Sequence, residues 1–107
     1  MAVSDEEIAH ALDLFADLGS LSTRKMFGGL GMYHAGNIFA VLMSDGRLLL
    51  KGQGEMQARL DEMGLKRWTY QREGKAPASM PYWELPDSAL DDAEEAVMLA
   101  RAAIAHL

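Results

Sequence analysis

Apolar positions in the first twenty residues recur at helical spacing. Ile8, Ala11, Leu12, Phe15 and Leu18 fall on one stripe, and Gly19 stands where a C′ glycine would end a helix. Ahead of the stripe, Ser4-Asp5-Glu6-Glu7 has the order of a capping box, with acids where the helix dipole favours them. From Leu21 the pattern becomes that of strands, expected at residues 23–27, 30–34, 37–43 and 47–51. Ala35-Gly36 and Ser44-Asp45-Gly46 are the turns, and Asp45-Gly46 between two apolar runs is the strongest hairpin signal in the chain. Those two runs are apolar on both faces, which predicts central, covered strands. Gly52-Gln53-Gly54 breaks the sheet. Met56, Leu60 and Met63 then predict a short helix over 55–63, closed by Gly64. Residues 67–71 alternate like a strand. Residues 80–86 read as another, which Pro81 places at a sheet edge or a bulge. A last helix, capped by Asp87 or Ser88, carries Leu90, Ala93, Val97, Ala100, Ile104 and Leu107 as a narrow seam. The order α-β-β-β-β-α-β-β-α predicts a two-layer α+β domain with an antiparallel sheet.

A chain of 107 residues has room for one core, so residues 1–107 are expected to form a single domain. Half the residues are hydrophobic and 24% are charged, which is ordinary globular composition. No apolar run approaches the roughly 20 residues that span a bilayer. The N-terminus lacks the pattern of a secretory signal, and no membrane association is expected. Without cysteine there is no disulfide, thiolate metal site or Cys nucleophile. The simplest location is the cytoplasm.

The net charge of −6 is unevenly spread. Residues 1–23 hold five acids and no Lys or Arg, and residues 76–107 hold six acids against Arg101. The basic middle holds Arg24, Lys25, Arg47, Lys51, Arg59, Lys66, Arg67, Arg72 and Lys75 against five acids. A net acidic domain is a poor generic DNA binder, because phosphate attraction supplies most non-specific affinity. The middle could still make one local positive face.

Motif chemistry excludes more than it offers. Gly28, Gly29 and Gly31 fail the dinucleotide fingerprint because position 34 is His. Gly31 and Gly36 have P-loop spacing, but Asn37 and Ile38 follow where Lys and Ser/Thr belong. A turn or bulge is the plainer use of these glycines. His10, His34 and His106 are scattered, so no metal or other cofactor is expected. The acids Asp91, Asp92, Glu94 and Glu95 read as a solvated helix start. No nucleophile motif is present, and no catalytic residue is assigned. Trp68, Tyr70, Tyr82 and Trp83, beside Arg67, Arg72 and Lys75, are either core fillers or a stacking surface. On an alternating strand Tyr82 and Trp83 face opposite sides, so one of them is outward or in a second layer.

Three stretches together resemble the N-terminal domain of the TfoX/Sxy family. They are Arg24-Lys25-Met26-Phe27-Gly28-Gly29 with Gly31 and Tyr33, then residues 45–51, then Met80-Pro81-Tyr82-Trp83-Glu84-Leu85-Pro86. The resemblance runs from about residue 5 to 105. It implies a fold of the secretion-chaperone-like and YjbR-like type and a cytoplasmic bacterial regulator linked to natural competence, with no catalytic residues. Longer members add a C-terminal helix-hairpin-helix-like domain, the more natural nucleic-acid reader. This chain stops at Leu107, so a stand-alone N-terminal domain is expected.

The leading expectation is a non-enzymatic regulatory domain that docks a protein partner or self-associates through Arg24, Lys25, Phe27, Gly28, Gly29, Tyr82 and Trp83. One alternative is nucleic-acid binding, with Arg24, Lys25, Arg47, Lys51, Arg67, Arg72 and Lys75 on phosphates. Another is a small anionic ligand at the Gly28-Gly29 turn.

Overall fold

One antiparallel sheet runs through the computed structural model and takes in all six strands of the described residues, which are 3–26, 28–70, 73–76 and 78–107. In chain order the elements are α1 (Asp5–Leu14), β1 (Leu21–Met26), β2 (Gly29–His34), β3 (Asn37–Leu42), β4 (Leu48–Lys51), α2 (Glu55–Glu62), β5 (Arg67–Tyr70), β6 (Ala78–Glu84), α3 (Asp87–Leu90) and α4 (Ala93–Ile104). The sheet order is β1-β2-β3-β4-β6-β5. The expected α+β order is therefore present, with the last helix in two pieces.

Local chemistry accounts for most boundaries. Ser4 Oγ accepts from the Glu7 N–H at 3.2 Å, and Glu7 Oε1 accepts from the Ser4 N–H at 3.2 Å, so the capping box forms. The α1 helix ends at Leu14, and a 3₁₀ turn over Ala16–Leu18 carries the chain to Gly19, whose φ is 70°. Ala35 and Gly36, with φ of 49° and 85°, make the two-residue turn between β2 and β3. At the next hairpin Gly46 has φ 90°, and the Asp45 carboxylate accepts from the Arg47 N–H at 3.1 Å. That bond, helped by the Arg47 guanidinium, holds the Asp45 carboxyl below its ordinary pKa.

One expectation needs correction. The final helix is not continuous, and neither Asp87 nor Ser88 caps its long part. Asp92 leaves the helical region (φ −131°) and accepts from the N–H groups of Glu94 and Glu95, at 3.0 and 3.3 Å. A good N-cap residue competes with helix propagation, and here the cap won. The restart also moves the buried stripe to Ala96, Val97, Leu99, Ala100 and Ala103, while Ala93 and Leu107 are exposed. Of the two places expected for Pro81, the structure takes the bulge and not the edge, since β6 lies between β4 and β5. It sits at a bulge, where the register with β5 passes from Arg67↔Trp83 to Thr69↔Ser79. Beyond the end of β4 its carbonyl accepts from the Gly52 N–H at 2.9 Å.

The expected covered strands are found, with Val41 and Leu49 buried even on the face away from the helices. All four helices lie on one face. There α1, α3 and α4 pack Ala11, Leu14, Phe15, Ala89, Leu99 and Ala100 on Leu30, Met32, Phe39, Leu42, Leu48 and Leu50. The rings of Phe15 and Phe39 meet edge-to-face at 5.2 Å. The α2 helix covers Trp83 with Met56 and Leu60, and the Trp83 indole N–H donates to the Asp61 carboxylate at 2.8 Å. Gly52 makes room for this, because a β-carbon there would come within 2.7 Å of the Trp83 ring. The β3 and β4 strands are central as expected, and among the described residues no helix lies on their second face. Among the described residues no helix is long and apolar enough to cross a membrane.

Candidate docking face

Strand pairing fixes which residues share the helix-free face. Arg24↔Gly31, Gly31↔Val41, Val41↔Leu49 and Leu49↔Glu84 form one row across five strands. Facing partners in an antiparallel ladder point to the same side. Met26↔Gly29, Tyr33↔Ile38 and Lys51↔Tyr82 add to that side. The row one residue over, Thr23, Met32, Ala40, Leu50, Trp83 and Arg67, belongs to the helix side.

On the helix-free side lies a groove of about 300 Å³, lined by Met26, Gly29, Ile38, Val41, Met43, Trp68, Met80 and Tyr82. Its floor is low because Gly31 has no side chain. A β-carbon there would lie 3.0 Å from Met26 Cε and 3.2 Å from Ile38 Cδ1, so those two chains lean in over the glycine. Trp68 and Tyr82 form the opposite wall, with ring centroids 6.3 Å apart. Burial first, and the Tyr33 phenol second, push the Tyr82 hydroxyl above its ordinary pKa. Three methionines give this lining a soft, adaptable surface.

The residues singled out from sequence are divided by the fold. Gly29 and Tyr82 meet in the groove, and Arg24 stands at its β1 end with its guanidinium 6.0 Å from the Tyr33 ring centre. Lys25 is exposed and pairs with Leu30, on the helix side. Trp83 is fully buried under α2, so Tyr82 is the outward member of the pair. Gly28 turns the chain at φ 77°, and its carbonyl accepts from the Val3 N–H at 3.0 Å. Gly29 is required by packing, since a β-carbon there would overlap the Leu42 carbonyl oxygen. Phe27 and Arg72 lie outside the described residues.

The cations do not gather. Lys51 shares the groove face. Arg67 is on the other side, 4.5 Å above the Trp83 ring, with its Nε donating to the Met80 carbonyl at 2.9 Å. Arg47 pairs with Asp45 at 2.8 Å and Glu84 at 3.7 Å. Lys75 is exposed in the β5–β6 connection. A second depression, between α1 and α3, contains Glu6, Glu7, His10 and Asp91. His10 there is engaged through Nε2 with the Leu90 carbonyl at 3.0 Å, and no metal-binding cluster occurs among the described residues.

Sequence reasoning missed Met26, Ile38, Val41, Met43 and Met80 as site residues. The available signal was the apolarity of 38–43 and 47–51 on both faces, which also fits a sheet covered on both sides.

The TfoX N-terminal domain family matches residues 13–107. The chain belongs to that family. Among similar proteins, DNA transformation protein TfoX1 of Aliivibrio fischeri is 34% identical over 74 residues, covering 65% of this chain and 35% of that protein. DNA transformation protein TfoX of Haemophilus influenzae is 26% identical over 91 residues, covering 84% of this chain and 42% of that protein. The chain thus spans less than half the length of these relatives. Family membership agrees with the resemblance carried by residues 24–33, 45–51 and 80–86.

Proposed function

We propose that this domain is a regulatory protein-interaction module of the bacterial cytoplasm that performs no catalysis and docks a partner on its helix-free sheet face. One observation carries the reading: an apolar, methionine-lined groove on a sheet that is otherwise covered. An apolar patch of that kind, framed by polar residues, is characteristic of an interaction site. The names of the two relatives connect the role to DNA transformation, and a regulatory domain of the competence system fits both. Nucleic-acid binding through the basic segment has weaker support, because Arg24 and Lys51 face one side, Lys25 and Arg67 the other, and Arg47 is paired.

Photo-crosslinking in cells tests the reading. A photoreactive residue replacing Ile38 should yield a discrete protein adduct, whereas the same residue replacing the exposed Met98 on α4 should not. Equal labelling from both positions, or none from Ile38, would rule out the groove as the docking face.

A further inference from the structure

The two sides of the domain differ in charge as well as in cover. Of the 16 acidic residues, Glu84 is the only one on a strand, and it is held by Arg47 at 3.7 Å. Arg24 and Lys51 stand on the groove face through their pairing with Gly31 and Tyr82. Among the described residues neither of them is in an ion pair. The groove is therefore an apolar trough flanked by cations, its face carrying one acid, Glu84, already paired with Arg47, while most of the other acids stand on or beside the helices.

From this we infer that the groove binds an amphipathic helix of a partner protein that presents bulky apolar anchors flanked by Asp and Glu. The inference rests on the docking role proposed above and specifies its ligand. The trough's walls stand on β1 and on β6, four strand spacings apart, which is about 19 Å. A helix with its side chains is about 10–12 Å across, so it can lie over the trough within that span and lower its anchor side chains into the groove. Anchors at i, i+3 and i+7 would enter between Met26, Met43 and Met80, whose flexible thioethers adapt to their shape. Arg24 and Lys51 then meet the flanking carboxylates. This steers the encounter and selects against basic partners.

The chain's methionines provide the readout. Protein with ¹³C-labelled methionine methyls is titrated with two synthetic helical peptides that share Leu and Phe anchors, one flanked by Glu and the other by Lys. The Glu peptide should shift Met26, Met43 and Met80 and leave Met32 and Met56 in the core, and Met63 and Met98 on the helical side, in place. It should bind about tenfold more tightly than the Lys peptide at low salt, and Arg24→Glu with Lys51→Glu should remove that preference. The unchanged methyls of Met32 and Met56 would report that the double variant is folded. Equal affinity, or tighter binding of the Lys peptide, overturns the acidic-partner inference and leaves the docking face standing. Failure of both peptides to move the groove methyls at millimolar concentration overturns the docking face too. Groove methyl shifts that follow protein concentration without peptide would make a second copy of this chain the occupant instead.

Discussion

Leu49 and Leu50 are neighbours on β4, and both are fully buried, yet they are buried in different ways. Leu50 lies under helices, in the cluster that includes Phe15, Phe39 and Ala100. Leu49 belongs to neither helix-covered cluster and lies on the face where no helix packs. Strands apolar on both faces normally mean layers on both sides. Here one side received its layer and the other kept a trough. Burial under helices and burial on a helix-free face thus coexist on adjacent residues of one strand.

The largest test of this contrast is at the adjacent pair on β6. Trp83→Ala empties the α2 contact and leaves Asp61 without its indole donor, and should cost about 3–5 kcal/mol in urea denaturation. Tyr82→Ala on the half-buried opposite side should cost about 1 kcal/mol, within the common range for point substitutions. Equal losses would erase the distinction between a core face and a docking face. The glycines give the next contrast. Gly29→Ala drives a methyl into the Leu42 carbonyl and should destabilise by about 2 kcal/mol or more. At Gly31 the opposing atoms are the flexible ends of Met26 and Ile38, so Ala should cost under about 1 kcal/mol while shallowing the groove.

Much of this was legible in the sequence, for physical reasons. The capping box, the Asp45-Gly46 hairpin and the period change at Leu21 are local signals, and local hydrogen bonding decided them. The break at Asp92 was also written locally, but the seam through Ala93 and Val97 masked it, because small residues give a helix stripe little contrast. The sidedness of the sheet was not legible. Whether Val41 and Leu49 face a second layer depends on where four distant helices pack, and alternation within a strand carries no such information. Gly29 and Gly31 look alike in sequence, yet one faces a backbone carbonyl and the other two movable side chains.

Titration of Tyr82 sharpens the comparison further. Its raised pKa means that the native state holds its proton to higher pH than the unfolded chain does. Stability should therefore be unaffected at neutral pH and fall as pH rises above about 10, the unfolded tyrosine value. Tyr82→Phe should flatten that part of the pH–stability curve, as followed by chemical denaturation. Asp45 gives the opposite sign at the other end of the scale. Its lowered pKa contributes stability above the unfolded value of 3.8, which is lost as pH falls through the lower native value, and Asp45→Asn should abolish that dependence. A further modest effect is expected at Ala35, a non-glycine residue at φ 49°. Ala35→Gly or Ala35→Asn should raise stability by about 1 kcal/mol without touching either face.

The strand order also has a consequence in time. The first four strands follow one another along the chain and pair with their sequence neighbours, so their contacts close short loops. Only after α2 and β5 have been passed does β6 return to close on β4. Met26, Ile38, Val41 and Met43 come from the early half, and Trp68, Met80 and Tyr82 from the late one. The trough therefore exists only once the late closure is made, and any opening of β5 and β6 as a unit dismantles it while the four-strand meander persists. A ligand held between the two halves acts as a clasp across that seam, and its affinity reports directly on how firmly the last third of the chain is shut.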